Sequence, residues 1–379
     1  MTTGFVVGKF YPPHRGHKHL IDTARAQVDR LIVMICHHVS QTISGEQRAA
    51  WLRELHPDCE IRVVPDELED DSQQWADFTV RTLGFAPDVV FSSEDYGPRF
   101  AALMGARHVM VDRARQAVPI SATAVRAQPL AHLPMLEPCV RAYFVPRVVL
   151  VGAESTGKTT LAQALAAHYH TECVLEYGRE HWERKVAGLS MSDPLPAWSS
   201  DEFVHIAAEQ QRREDAAARR ACGPLFCDTN AMATGTWHER YYQRRDPRVD
   251  AIGAAARAHL YLLTAPDVPF VQDGFRDGET IRDWMHQRFA EQLAAGPTPW
   301  RELRGPHAAR WRSGRRSMRS PRLMAAMPDR PRSARCRCSS SSASSPVAGR
   351  WRARRWLRSA VWPRARVLLP SCRPRSSPP

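Results

Sequence analysis

No window of this 379-residue chain approaches the roughly 18 consecutive apolar residues that a membrane-crossing helix needs, which excludes a membrane span. The N-terminus lacks the basic stretch, apolar run and cleavage site of a secretory leader and passes at once into GFVVGKF, so a cytoplasmic protein is expected. The nine cysteines lack paired spacing. Only Cys336 and Cys338 are close, with no second pair, so a zinc site is not expected and the thiols are read as free in a reducing compartment. Lysine is scarce beside arginine, and there is no internal repeat.

Hydrophobic residues make up 43% of the chain, which excludes full-length disorder, and the length allows two or three domains. The net charge of +13 misleads, because residues 312–379 hold 18 arginines against one acid, Asp329, and leave residues 1–311 acidic on balance. A basic isoelectric point is therefore no argument for a nucleic-acid partner, and none is expected. Arg, Ser and Pro account for 41 of the 68 residues of that tail, without helical or strand period. Such a segment buries too little apolar surface to offset its ordering entropy and is expected to be disordered. It reads either as a basic arm for RNA or anionic lipid or as GC-rich DNA translated out of frame from about residue 311, and its composition favours the second.

The rest is α/β. Runs expected as strands (Thr3–Val7, Leu31–Cys36, Ile61–Val64, Val89–Ser92, His108–Val111) alternate with helical periods at His17–Val28, Glu46–Leu55, Gln73–Leu83 and Gly97–Met104. This alternation argues a doubly wound parallel sheet covered on both faces. Ala127–Tyr143, with three prolines and weak periodicity, is read as the join. A second α/β unit begins at Phe144, with strands at Val148–Val151, Cys173–Glu176, Leu225–Cys227 and Leu260–Thr264 and helices at Lys158–His168 and Ile281–Ala294. The expected organisation is two tandem doubly wound parallel-sheet domains, 1–143 and 144–311, followed by the tail 312–379.

Two motifs carry the chemistry. The first strand runs into Gly8-Lys9-Phe10-Tyr11-Pro12-Pro13-His14-Arg15-Gly16-His17, then a helix. Glycine and proline let the backbone of this turn approach a ligand, and two imidazoles at a helix N-terminus suit a polyphosphate. Lys9 is a further candidate for phosphate. Late in the same half stands Ile120-Ser121-Ala122-Thr123-Ala124-Val125-Arg126. In the second half, Gly152-Ala153-Glu154-Ser155-Thr156-Gly157-Lys158-Thr159, followed by Thr160, satisfies G-x-x-x-x-G-K-[ST] between a strand and a helix. Its backbone is expected to cradle phosphates, with Lys158 bridging them and Thr159 on Mg²⁺. Glu176, at the carboxyl end of the next expected strand, is positioned to take a proton from a substrate hydroxyl, with Arg179 nearby. Asp228, after Leu225-Phe226-Cys227, reads as the metal-side carboxylate. His238–Arg248, with four arginines, resembles a lid over phosphates or a solvated helix.

The pairing of H-x-G-H with I-S-x-T-x-x-R is similar to the nucleotidylyltransferase family, in which both elements grip the triphosphate of ATP. The resemblance assigns that role to His14, His17, Ser121, Thr123 and Arg126. Together with the P-loop, the whole of residues 3–311 resembles the NadR-type bifunctional proteins of bacterial NAD salvage. GKFYPPHRGH, SSEDYG, ISATAVR, GAESTGKTT, EYGRE, CDTN and DVPFVQDGFR all fall in family order. That resemblance implies a ribosylnicotinamide kinase and a nicotinamide mononucleotide adenylyltransferase, with ATP as substrate, Mg²⁺ as cofactor and an aromatic stacked on the pyridine ring, for which Trp75 is the candidate. A homo-oligomer is left open. Two departures stand out. The N-terminal helix-turn-helix domain of some relatives has no counterpart, so DNA binding is not implied. Similarity also fades near Trp311, where relatives have a closing helix, so a crippled kinase with an active adenylyltransferase is one alternative. A non-catalytic nucleotide sensor is another.

Overall fold

The computed structural model describes residues 1–69, 71–189, 193–272 and 278–318. In the first half the strands are β1 (Thr3–Gly8), β2 (Arg30–His37), β3 (Glu60–Pro65), β4 (Val89–Ser92) and β5 (Arg107–Met110). They form one wholly parallel sheet in the order β3-β2-β1-β4-β5. Helices α1 (Arg15–Arg25), α2 (Gly45–Leu55), α3 (Ser72–Leu83), α4 (Gly97–Leu103) and α5 (Ala122–Ala127) accompany it. Strand β2, paired on both edges by β1 and β3, is buried over six consecutive positions, as a strand covered on both faces must be.

The second half repeats the principle with β6 (Arg147–Val151), β7 (Cys173–Val174), β8 (Leu225–Asp228), β9 (Leu260–Thr264) and β10 (Trp300–Leu303), parallel throughout in the order β10-β9-β6-β8-β7. In both sheets the first strand lies at the centre, so the chain winds outward in both directions and leaves a crevice at its carboxyl end. No helix among the described residues is long and apolar enough to cross a membrane.

Several expectations need correction. The Cys173–Glu176 strand stops at Val174, and Glu176 instead precedes helix α8 (Tyr177–Lys185). The expected join is structured: a 3-10 turn at Pro129–Met135 leads into α6 (Pro138–Phe144). Its Leu133, Leu136 and Val140 belong to one apolar cluster that runs from Ile120 and Val125 of the first half to Val149, Val151 and Ala153 of the second. Helix α7 (Lys158–Tyr169) was legible, but α9 (Ser200–Ala218) was not. A sequence signal for α9 exists in the reciprocal cap between Ser199 and Glu202, the S-x-x-E pattern of a helix start. Its buried stripe includes Gln210 and Glu214, and these polar residues disguise the apolar period.

The remaining helices are α10 (Ala231–Tyr242), α11 (Pro247–Ala255), α12 (Arg282–Ala295) and α13 (His307–Ser317). Residues 312–317, placed in the expected tail, are the second half of α13, and the rest of that tail beyond Met318 lies outside the described residues. Met318 and Trp311 pack with Leu165 of α7 and Leu262 of β9, and a Cβ on Gly314 would sit 3.7 Å from Leu165, so α13 covers the sheet.

Two kinds of contact join the halves. The Glu54 carboxylate takes both guanidinium nitrogens of Arg219, but both side chains are about half exposed. Water and salt screen such a pair, leaving at most about 1 kcal/mol, whereas Leu136 is fully buried in the common cluster. Leu136→Ala is therefore expected to cost about 2–5 kcal/mol in a denaturant titration. Glu54→Ala should cost less than about 1 kcal/mol in the same assay.

Candidate active sites

A cavity of about 810 Å³ opens at the carboxyl end of β1. Gly8, Lys9, Phe10, His14, His17, Trp75, Ser121, Thr123 and Arg126, all singled out from the sequence, line it. His14 is the N-cap of α1: its Nδ1 accepts from the His17 backbone N–H at 3.3 Å, and His17 Nδ1 accepts from that of His14 at 3.3 Å. The rings stack with centroids 3.8 Å apart. Burial pushes the His14 imidazole down to about 4, and burial next to His14 holds His17 far below its ordinary range. Both rings are therefore neutral, and with Nδ1 acting as acceptor each carries its proton on Nε2. The pair consists of fixed neutral donors.

Neighbouring residues hold this geometry. A Cβ on Gly16 would lie 3.0 Å from His14 Cε1, which favours a residue without a side chain at this position. Phe10 takes a left-handed φ of 45° and sets its ring edge-on to His17 at 5.0 Å. Arg126 donates to the Tyr11 carbonyl and, at 3.1 Å, to Thr123 Oγ1, joining the late motif to the early one. Ser121 Oγ caps α5 by accepting from Ala124 N–H at 3.1 Å. Lys9 is held by Asp66 at 2.9 Å. Trp75 donates from its indole to the Glu69 carbonyl at 3.1 Å, with its ring edge-on to Phe78.

Sequence reasoning missed Arg48. Although fully buried, it donates to the carbonyls of Lys9, Cys36 and Ser44 and to Gln41 Oε1, fastening the turn after β1 to its neighbours. No local spacing announces this role, since Lys9 lies 39 positions away.

The second cavity, about 820 Å³, opens at the end of β6. Glu154, Ser155, Thr156, Gly157, Lys158, Thr159, Thr160, Glu176, Arg179 and Asp228 line it. Gly152 sits behind the loop at φ 148°, and a Cβ there would fall 2.4 Å from Thr264 Oγ1, so only glycine fits. Gly157, at φ 79°, caps α7. Thr156 Oγ1 contacts the Ala153 carbonyl at 2.8 Å and Thr264 Oγ1 at 2.7 Å, and Lys158 Nζ donates to the Ala153 carbonyl at 2.9 Å.

The carboxylates crowd one spot. Thr159 donates to one oxygen of Asp228, and the other, Oδ1, is buried with no partner. Burial raises the Asp228 carboxyl above its usual range. Burial also raises Glu176 to about 7, with Asp228 and Glu154 adding to the rise and Lys158 opposing it. Among the described residues no cluster of three or more His, Cys, Asp or Glu side chains forms a metal cage. An orphaned carboxylate oxygen beside a threonine hydroxyl nevertheless suits a hard cation that takes its other ligands from phosphates and water. Arg179 forms an ion pair with Glu183 at 2.9 Å.

The far wall was not foreseen. Trp182 stacks on Trp198 at 4.8 Å, and Phe203, Trp237 and Tyr241 extend the aromatic surface. The expected lid arginines have other duties: Arg245 pairs with Asp250 and Glu239, Arg248 with Asp246 and Asp201, and Arg240 with Glu154 of the loop itself. Arg310 of α13 was missed as well. It is 2% exposed and donates to the carbonyls of Thr156, Gly305 and Ala265 and to Asp267, so the closing helix holds the P-loop from behind.

Residues 5–128 match the Cytidylyltransferase-like family, and residues 147–310 match the AAA domain family. The trifunctional NAD biosynthesis/regulator protein NadR of Escherichia coli K12 is 29% identical over 298 residues, 73% of this chain and 72% of its own. The Salmonella typhimurium LT2 protein of the same name is 28% identical over 296 residues, covering 72% and 71%. Over nearly three quarters of its length the chain is thus similar to the NadR-type proteins. A crystal structure of NadR in complex with NR aligns at a TM-score of 0.68 over 83% of this chain and 94% of that one, with 20% identity. Another, with NAD and AMP-PNP, aligns at 0.64 with 19% identity. At such identity these likenesses show that the NadR-type fold is shared.

If Arg310 holds the P-loop, Arg310→Ala should release the loop and weaken nucleotide binding there by roughly 10-fold or more. Calorimetric titration with ATP is expected to detect two sites in the wild-type chain and one in the variant.

Proposed function

We propose that the chain makes NAD in two steps, phosphorylating ribosylnicotinamide with ATP and then joining the mononucleotide to the adenylyl group of a second ATP. The observation that carries this reading is the convergence of two phosphate-handling sets, one on each cavity, within a NadR-type chain.

In the second cavity, Lys158 and the backbone of the loop position the triphosphate. Glu176, poised near 7, accepts the proton of the ribose 5′-hydroxyl as its oxygen bonds to the γ-phosphorus and ADP departs. Thr159 and Asp228 would hold Mg²⁺, which neutralises charge on the phosphates. The aromatic wall offers a face for the pyridine ring. In the first cavity no covalent intermediate is needed. A phosphate oxygen of the mononucleotide attacks the α-phosphorus and pyrophosphate leaves, while His14, His17, Ser121, Thr123 and Arg126 hold the phosphates and Trp75 offers the base a face.

A form limited to adenylyl transfer would be favoured if the closing helix were missing; the packing of α13 and the reach of Arg310 to the P-loop argue for both activities. A sensor without turnover has no need of a proton acceptor such as Glu176.

The test is chromatographic product analysis with ATP and Mg²⁺. Wild-type protein should yield NAD from either ribosylnicotinamide or the mononucleotide. Lys158→Ala should yield it only from the mononucleotide, and His17→Ala should stop at the mononucleotide with NAD formation down about 100-fold or more. NAD from both substrates in both variants would refute the assignment. Because the Glu176 carboxyl lies above its ordinary range, it becomes a base only as pH rises through about 7, so kinase turnover should climb across that interval and Glu176→Gln should abolish it.

A further inference from the structure

His14 and His17 donate hydrogen bonds without bringing charge, so positive charge for a polyphosphate in the first cavity must come from elsewhere. Three cationic side chains line that cavity, Lys9, Arg115 and Arg126. Lys9 is tied to Asp66 at 2.9 Å, and Arg126, which keeps its charge for the phosphates, is anchored by the Tyr11 carbonyl and Thr123 Oγ1. Arg115 is the most loosely held of the three. Its guanidinium stands 3.5 Å from Glu94, at the long end of an ion pair, and Glu94 also lines the cavity.

Its backbone is set for this position. Asp112 and Arg115 both take left-handed φ values, 46° and 51°. The Asp112 carboxylate accepts the N–H groups of Gln116 at 2.8 Å, Ala117 at 3.2 Å and Val118 at 3.2 Å, which fixes the loop that runs into Ser121. Arg115 thus shares a wall with the late motif, and its charge reaches both histidines, helping to keep their rings neutral.

We propose that Arg115 is a further catalytic residue of adenylyl transfer, leaving Glu94 to bind the β- and γ-phosphates of ATP and the pyrophosphate they become. This rests on the adenylyltransferase reading of the first cavity. The balance is simple. A mononucleotide phosphate oxygen bonds to the α-phosphorus, and the bond from that phosphorus to the bridging oxygen breaks with its electron pair passing to pyrophosphate. No proton has to move, and the charge grows on the group that Arg115 holds.

Steady-state kinetics of NAD formation test the assignment. Arg115→Ala should lower kcat/KM for ATP roughly 10- to 100-fold and weaken inhibition by pyrophosphate similarly, with the KM for mononucleotide changed less than about twofold. Arg115→Lys should fall between. Arg113→Ala, two positions away, paired with Asp95 and outside the cavity lining, should match wild type. Undiminished ribosylnicotinamide kinase activity in the same preparations reports intact folding. Unchanged ATP kinetics in Arg115→Ala, or a defect confined to the mononucleotide, would overturn the proposal.

If the wild-type chain forms no NAD from mononucleotide, the adenylyltransferase reading fails separately. Calorimetry of ATP binding to Lys158→Ala protein, with and without Arg115→Ala, then reads the same contact without turnover. Equal affinities would overturn it, and a roughly 10-fold or greater loss would support it.

Discussion

Twice in this molecule a buried central strand must turn directly into a helix while keeping its backbone open to a bulky anion, after β1 and after β6. The rest of the structure depends on that constraint. Each turn packs closely against its own surroundings, so glycines stand at Gly16 and Gly152, where added carbons would press on His14 and Thr264. The loops are too open to hold themselves, so buried arginines reach in from distant elements: Arg48 grips the turn after β1 and Arg310 the turn after β6. Each uses its rigid, planar fork of five donors to reach several separated carbonyls at once, a span that the compact ammonium of lysine does not offer.

The two cavities solve the charge problem in opposite ways. The first fixes neutral imidazoles by burial and reciprocal capping and leaves formal charge to arginines. The second collects carboxylates beside one lysine and raises them by burial, creating an acidic recess suited to a cation and a proton acceptor. Adenylyl transfer needs no base because its nucleophile is already an anion. Attack by a hydroxyl does need one, so the difference in local chemistry follows the difference between the nucleophiles.

What the sequence discloses and what it hides divides on range. GKFYPPHRGH and GAESTGKTT are legible because their chemistry is carried by neighbours in the chain, and the structure draws their residues into the two cavities. Strand centres are legible because parallel strands buried on both faces are continuously apolar. Helix α9 is obscured by Gln210 and Glu214 on its buried stripe, and α13 by arginines around a narrow face of Trp311, Gly314 and Met318. Arg48, Arg115 and Arg310 are invisible for another reason. An arginine in isolation looks like solvated surface, and its role is set by carbonyls or cavities tens to more than a hundred positions away.

The clasp from α13 also has a temporal meaning. During synthesis the first sheet, its helices and its cavity are complete well before the second, and N-terminal units fold first as the chain emerges. The P-loop strand and helix follow, but the guanidinium that steadies the loop arrives 154 residues after Thr156. While those residues emerge, the nascent chain therefore has its first turn clasped and its second one unsupported. A chain that stops before Arg310 already holds the clasp of its first turn, Arg48, but lacks that of its second, so the order of the two halves decides which turn can be secured first.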